Sequence, residues 1–126
     1  MKKALINISN HPSSGWSEDQ RAGWDKIVDI PFPPVSPESD FHEVKLLAQE
    51  ITDKVAQISN AEEGIYIMIQ GEYSLSYAVF SMLKELKKYK FVVPTTARVV
   101  EEKARPDGTV EKVSVFRFIR WRVIDL

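Results

Sequence analysis

The sequence predicts a single α/β domain, residues 1–126, built on a sheet of about four parallel strands with three helices and a C-terminal antiparallel β-hairpin at one edge. Three observations carry that expectation. Short apolar runs rich in β-branched residues alternate with helical patterns from Ala4 to Thr96, and such alternation joins parallel strands through helical crossovers. A chain of 126 residues with 44% hydrophobic content is long enough for one core and too short for two ordinary domains. In the last third, two β-rich runs flank Pro106, Asp107 and Gly108, a turn signal that joins antiparallel strands.

Each element has a local reason. Ala4 to Ile8 reads as a strand, stopped by the polar loop "SNHPSSG". In "SEDQRAGW", Ser17 with Gln20 three residues on fits a capping box, and Glu18 and Asp19 complement the helix dipole, so a short helix starts there and Gly23 limits it. Lys26 to Ile30 is a second strand, ended by prolines that remove backbone donors. Ser36, Pro37, Glu38 and Asp40 supply cap, first-turn proline and acidic signals for the helix beyond. Along that helix Val44, Leu47, Ala48, Ile51, Val55 and Ile58 share one face of a 3.6-residue period, while Lys45, Glu50 and Lys54 face water. "IYIMIQ" has the content of a fully buried strand. "GEYSLSYAVFSMLKELKK" follows as a helix burying Ala78, Val79, Met82, Leu83 and Leu86, with lysines suited to its C-terminus. "FVVPTT" is the fourth strand, and Ala97 to Ile124 form the hairpin. The whole is a small Rossmann-like sheet.

Composition excludes several classes of function. With 17 Lys+Arg against 18 Asp+Glu the formal net charge is -1, so no global field holds a long nucleic acid without sequence preference. Zero cysteines exclude disulfides and thiolate zinc sites, and two histidines make a dedicated transition-metal cage a poor reading; a carboxylate-held Mg²⁺ stays open without a motif behind it, and neither metal nor cofactor is expected. The apolar run after Lys2 and Lys3 is too short for a signal peptide or a membrane span. The expected setting is the cytoplasm, away from membranes.

Ligands of parallel α/β sheets bind beyond the carboxyl ends of the strands. Three segments belong there: "SNHPSSGW", "QGEYSLS" and "PTTAR". Gly71 allows close backbone approach, and the helix start behind it offers free N–H groups to a phosphate, with Glu72, Tyr73 and a hydroxyl from Ser74 or Ser76 beside it. Equally, Gly71 serves as a plain strand-to-helix turn and Ser74 as a cap. His11 is a candidate for proton transfer, the role that imidazole side chains serve near neutral pH, with Asn10, Ser13 and Ser14 able to hold phosphate or ribose; an Asn-His-Pro-Ser turn also needs no ligand. His42 is expected on the solvated surface. Thr95, Thr96 and Arg98 offer two hydroxyls and a guanidinium, or else a strand with Arg98 paired to Glu101 or Glu102. Arg117, Arg120 and Arg122 interleave with Phe116, Phe118 and Trp121, a pattern of edge protection or an oligomer interface more than of RNA binding. Trp16 and Tyr73 flank the pocket loops, where each could stack on a purine base or close the sheet end as core; Trp16 is expected in the core, and Tyr73 in either role.

The motifs "NHPSSGW", "GEYSLSYAVFSMLKE" and "VVPTTARVVEE" resemble small single-domain CRISPR-associated proteins of the CARF (CRISPR-associated Rossmann fold) kind, over most of the chain. The resemblance implies a homodimer binding a cyclic oligoadenylate, the second messenger of type III CRISPR systems, in antiviral defence. As a ring nuclease it would cut that messenger without metal, through attack of a ribose 2′-hydroxyl on the adjacent phosphate. His11 would then move the proton, Arg98 and the third-helix amides would hold the phosphate, and Ser9, Ser13 or Thr95 would position the ribose. Binding without turnover is the variant. Two other classes compete: a nucleotide-processing transferase or hydrolase using Glu72 as carboxylate nucleophile, and a non-enzymatic dimeric interaction module using Val113 to Val123.

Overall fold

In the computed structural model, which describes residues 3–59 and 64–125, one five-stranded sheet carries the fold. The strands are β1 (Ala4–Ser9), β2 (Lys26–Pro31), β3 (Ile65–Ile69), β4 (Lys90–Ala104) and β5 (Val110–Ile124). Their order is β2-β1-β3-β4-β5; β1 pairs in parallel with β2 and β3, β3 pairs in parallel with β4, and β4 pairs antiparallel with β5. The helices are α1 (Glu18–Arg21), α2 (Phe41–Ile58) and α3 (Tyr73–Glu85).

β1 is buried along its whole length because both sheet faces are covered there. Ala4, Ile6 and Ile8 join Val44, Ala48, Ile51 and Val55 of α2 and Leu75, Ala78, Val79 and Leu83 of α3 in the larger core. Leu5, Met68 and Val92 point to the other face, where Trp16, Trp24, Tyr66 and Trp121 pack over them in place of a long helix. The single turn of α1 covers that face, its cap set by Ser17, whose hydroxyl accepts the Gln20 N–H. Trp121 is tied down at the same place, its indole N–H donating to the Gln20 carbonyl over 2.9 Å.

Two helix readings are corrected. α2 begins at Phe41 and not beside Pro37: Asp40 is the cap, accepting the Glu43 N–H at 2.9 Å, while Ser36 closes a separate turn with Glu38 and Ser39. Either residue supplies the oxygen acceptor that a helix start requires, and the one nearer the apolar stripe wins. In α3, Met82 is only partly buried and Leu86, the residue just past the helix, is 48% exposed; Leu75 takes the buried place instead. Lys87 then enters the left-handed region at φ 54° and turns the chain away from the helix axis.

The largest correction concerns the end of the chain. The fourth parallel strand and the first arm of the expected hairpin are one strand, β4, unbroken from Lys90 to Ala104. Its first residues pair with β3, and its far end pairs only with β5, so a two-stranded ribbon projects past the carboxyl ends of β1 and β3. The tip is the predicted turn, with Gly108 at φ 87° and Asp107 accepting from both the N–H and the hydroxyl of Thr109.

Candidate functional site

The β1–α1 loop folds back over the face that carries Trp16 and Trp121. Asn7, on β1, is buried in it at 1% exposure and is fully hydrogen-bonded. Its amide donates to the His11 carbonyl at 2.9 Å and to Asp29 at 3.0 Å, and its oxygen accepts the Ser9 hydroxyl at 2.7 Å. The Ser9 hydroxyl oxygen in turn accepts the His11 N–H. Asp29, the register partner of Asn7 on β2, also accepts the N–H and hydroxyl of Ser13. The Trp16 indole N–H also donates to the His11 carbonyl.

The consequence is a loop whose backbone is fastened while its tip is open. Among the described residues no hydrogen bond holds the side chains of Asn10, His11 or Ser14, and all three are exposed. Ser9 and Ser13 spend their hydroxyls inside the network. Sequence reading missed Asn7 and Asp29; a polar residue inside an otherwise apolar buried strand was the signal for Asn7, since burial of an amide is costly unless it is paired.

The third-helix start is arranged differently from the expected phosphate cradle. Glu72 is its cap, and its carboxylate accepts the N–H groups of Ser74 at 2.6 Å and Leu75 at 3.3 Å together with the Ser74 hydroxyl. These bonds, the Ser74 hydroxyl first, hold the Glu72 carboxyl below its ordinary pKa. The chain's own anion therefore fills the place offered to a phosphate. Gly71 lies under the ring of Phe32: a Cβ there would stand 2.6 Å from three ring atoms. Phe32 is 5% exposed and closes this corner of the core, so close approach at Gly71 is used by a side chain. Tyr73 is 82% exposed and outside the core.

"PTTAR" is the other departure from expectation. Thr95, Thr96 and Arg98 are not in a loop but within β4, because β4 continues across the point where β3 ends. The register shifts between Thr95 and Thr96, and the Thr95 hydroxyl exchanges hydrogen bonds with Arg120, donating to its carbonyl at 3.0 Å and accepting its N–H at 3.2 Å. Thr95 is thus spent on a β-bulge, which re-aims the ribbon. Arg98 is exposed and pairs in register with Phe116; of the expected acidic partners, Glu101 is taken by Arg117.

A groove of about 370 Å³ runs between the β1–α1 loop and the ribbon. Trp16, Phe116 and Phe118 give it aromatic walls, with Ser17 and Thr96 adding hydroxyls and Asp19 a carboxylate. Phe116 is 73% exposed, an uncovered flat face. Thr96 is the predicted site residue that lines this groove, and the loop carrying His11 borders it through Trp16. Among the described residues no group of three or more His, Cys, Asp or Glu side chains is placed to hold a metal ion, and no helix is long and apolar enough to cross a membrane.

No curated protein and no solved structure matches the chain. One family model does, across residues 3–122, a span that includes both the strand that carries Asn7 and the part of β5 that lines the groove, and the chain belongs to that family, described as the Uncharacterized protein MJ1673 family.

Proposed function

We propose that this protein binds a cyclic oligoadenylate on the face of the sheet that carries the β1–α1 loop, at the carboxyl ends of the strands. The aromatic groove between that loop and the ribbon carries the reading. Purines stack on exposed aromatic faces with about 1–3 kcal/mol per base; Phe116 offers such a face, and the part-buried Trp16 and Phe118 line the groove with it beside hydroxyl groups. The free side chains of Asn10, His11 and Ser14 stand on a loop that is rigid beneath them, the preorganisation that a ligand site requires. Arg98, on the same ribbon face as Thr96 and Phe116, is the cation for a phosphate.

Cleavage of the messenger follows the same arrangement. The ribose 2′-hydroxyl attacks the neighbouring phosphorus and His11 accepts the hydroxyl proton; the bond from phosphorus to the 5′-oxygen breaks, that oxygen takes a proton from the imidazolium or from water, and a 2′,3′-cyclic phosphate and a free 5′-hydroxyl result. The protein acts as a homodimer, a state supported by the apolar side chains that the ribbon leaves uncovered, Val100 at 61% and Phe116 at 73% exposure.

Incubation with cyclic tetra- and hexa-adenylate in EDTA, followed by chromatography and by thermal melting, tests the reading. Binding raises the melting temperature, and turnover yields linear products. If neither messenger shifts the melting temperature nor is consumed, the reading is wrong.

A further inference from the structure

A second recess lies at the opposite end of the sheet, about 430 Å³ in volume, where α3 ends and β4 begins. Lys84, Lys87 and Lys90 line it together with Phe80, Tyr66 and Tyr89. Among its described lining residues Asp125 is the only acid, and none of the three lysines has an ion pair among the described residues. The charge balance of this end is therefore positive in a chain whose formal net charge is -1.

The ammonium groups are also held in place. Lys84 Nζ sits 5.7 Å from the centre of the Phe80 ring and Lys90 Nζ 5.7 Å from that of Tyr66, where Lys3 Nζ approaches to 5.8 Å. Attraction to the ring faces orients such cations without neutralising them. Lys87 takes the left-handed conformation at φ 54°, uncommon for a residue with a side chain, at the mouth of the same recess. Phe80 packs on Phe91 at 4.6 Å, and the Tyr89 hydroxyl is hydrogen-bonded to Ser59 at 2.7 Å, so the floor is fixed.

We propose that this recess is a binding site for a compact phosphate chain, the diphosphate or triphosphate unit shared by inorganic pyrophosphate and nucleoside polyphosphates. Several like charges around one concave surface repel one another, and a ligand with multiple negative charges relieves that repulsion. Lysine meets phosphate as a point charge with no fixed bidentate fork, which suits a chain of phosphates of variable geometry. The volume matches a small molecule. The aromatic faces are engaged by the lysines, so recognition falls on the phosphates and not on a stacked base.

Calorimetric titration of the full chain with pyrophosphate, ATP, AMP and adenosine at low and moderate salt tests the site. Pyrophosphate and ATP bind, AMP binds about tenfold more weakly or worse, adenosine does not bind, and added salt weakens the binding. Equal affinity for pyrophosphate and ATP assigns the phosphate chain alone as ligand, and tighter ATP assigns a nucleoside polyphosphate; both support the site. The K84Q/K87Q/K90Q triple variant loses about 100-fold or more in pyrophosphate affinity. The corresponding triple arginine variant retains binding, as does K45Q/K54Q/K112Q, which removes the same charge elsewhere. The proposal is overturned by absence of heat with both pyrophosphate and ATP at millimolar concentration. Undiminished affinity in the triple glutamine variant, or adenosine binding as tightly as ATP, would each do the same.

Discussion

Replacing Gly71 with alanine places a methyl group against the ring of Phe32. The three nearest ring atoms stand 2.6 Å from the ideal Cβ position, whereas carbon atoms meet comfortably at about 3.5–4.0 Å. Relief requires the ring or the backbone to move by about 1 Å. Neither moves freely: Phe32 is 5% exposed and its N–H donates to the Ser9 carbonyl, while the neighbouring Gln70 N–H donates to the Ile8 carbonyl. Gly71 has no positive φ, so backbone strain adds nothing, and the cost is overpacking alone, about 1–3 kcal/mol. For a chain of this length that lowers the melting temperature by roughly 4–12 °C. The assay is a double-mutant cycle by thermal or urea unfolding. Phe32→Val removes every ring atom that the added methyl would strike; alone it costs about 3 kcal/mol. In that background Gly71→Ala is neutral or slightly stabilising, since alanine restricts the unfolded chain more than glycine does. A wild-type melting temperature for Gly71→Ala, or an equal loss with valine at position 32, would refute the packing argument and return Gly71 to the role of ligand contact.

Four further outcomes follow from the site. Asn7→Leu takes one partner each from Asp29, the Ser9 hydroxyl and the His11 carbonyl, which keep their bonds to Ser13, the His11 N–H and Trp16, and costs about 1–3 kcal/mol; hydrogen exchange of the loop from Ser9 to Trp16 rises more than that of α2. Glu72→Gln removes the charge that caps α3 and lowers the melting temperature at neutral pH. Because the folded Glu72 carboxyl has a depressed pKa, its contribution is fully present above the unfolded value near 4.5 and is lost as the pH falls through the lower folded value, so the wild-type and Gln variants converge in melting temperature in acid; a gap that stays undiminished as the solution is acidified contradicts this. Trp16→Ala weakens cyclic oligoadenylate binding by about tenfold or more, and His11→Ala binds normally but cleaves slowly; a full cleavage rate in the His11 variant removes it from the mechanism.

The elements were largely legible in the sequence because each rests on local chemistry. The alternation of strand and helix patterns, the Ser17 cap, the stripe from Val44 to Val55 and the Asp107-Gly108 turn all appear where residue spacing puts them. Boundaries failed where two neighbours offered the same chemistry, as Ser36 and Asp40 did for α2. The site was less legible. Thr95 and Thr96 look like loop residues after a proline, yet they lie inside a strand because β5 supplies hydrogen-bond partners past the end of β3. Glu72 reads as a pocket acid, yet it turns back onto its own helix amides. Asn7 carries the loop that presents His11, and its partner Asp29 is distant in sequence.

What the sequence by itself determined is therefore the α/β class, the placement of a His-containing loop at the carboxyl end of the first strand, and the absence of any thiol chemistry. These depend on composition and on interactions within a few residues. The tertiary structure alone decided which backbone and side-chain groups remained available to a ligand. Phe32 took the space at Gly71, Glu72 took the α3 amides, Thr95 was spent on a bulge, and the ribbon brought Phe116 and Phe118 across from Trp16. The physical reason is that a polar group or a cavity belongs to whichever partner packs nearest, and that partner is set by long-range pairing of strands.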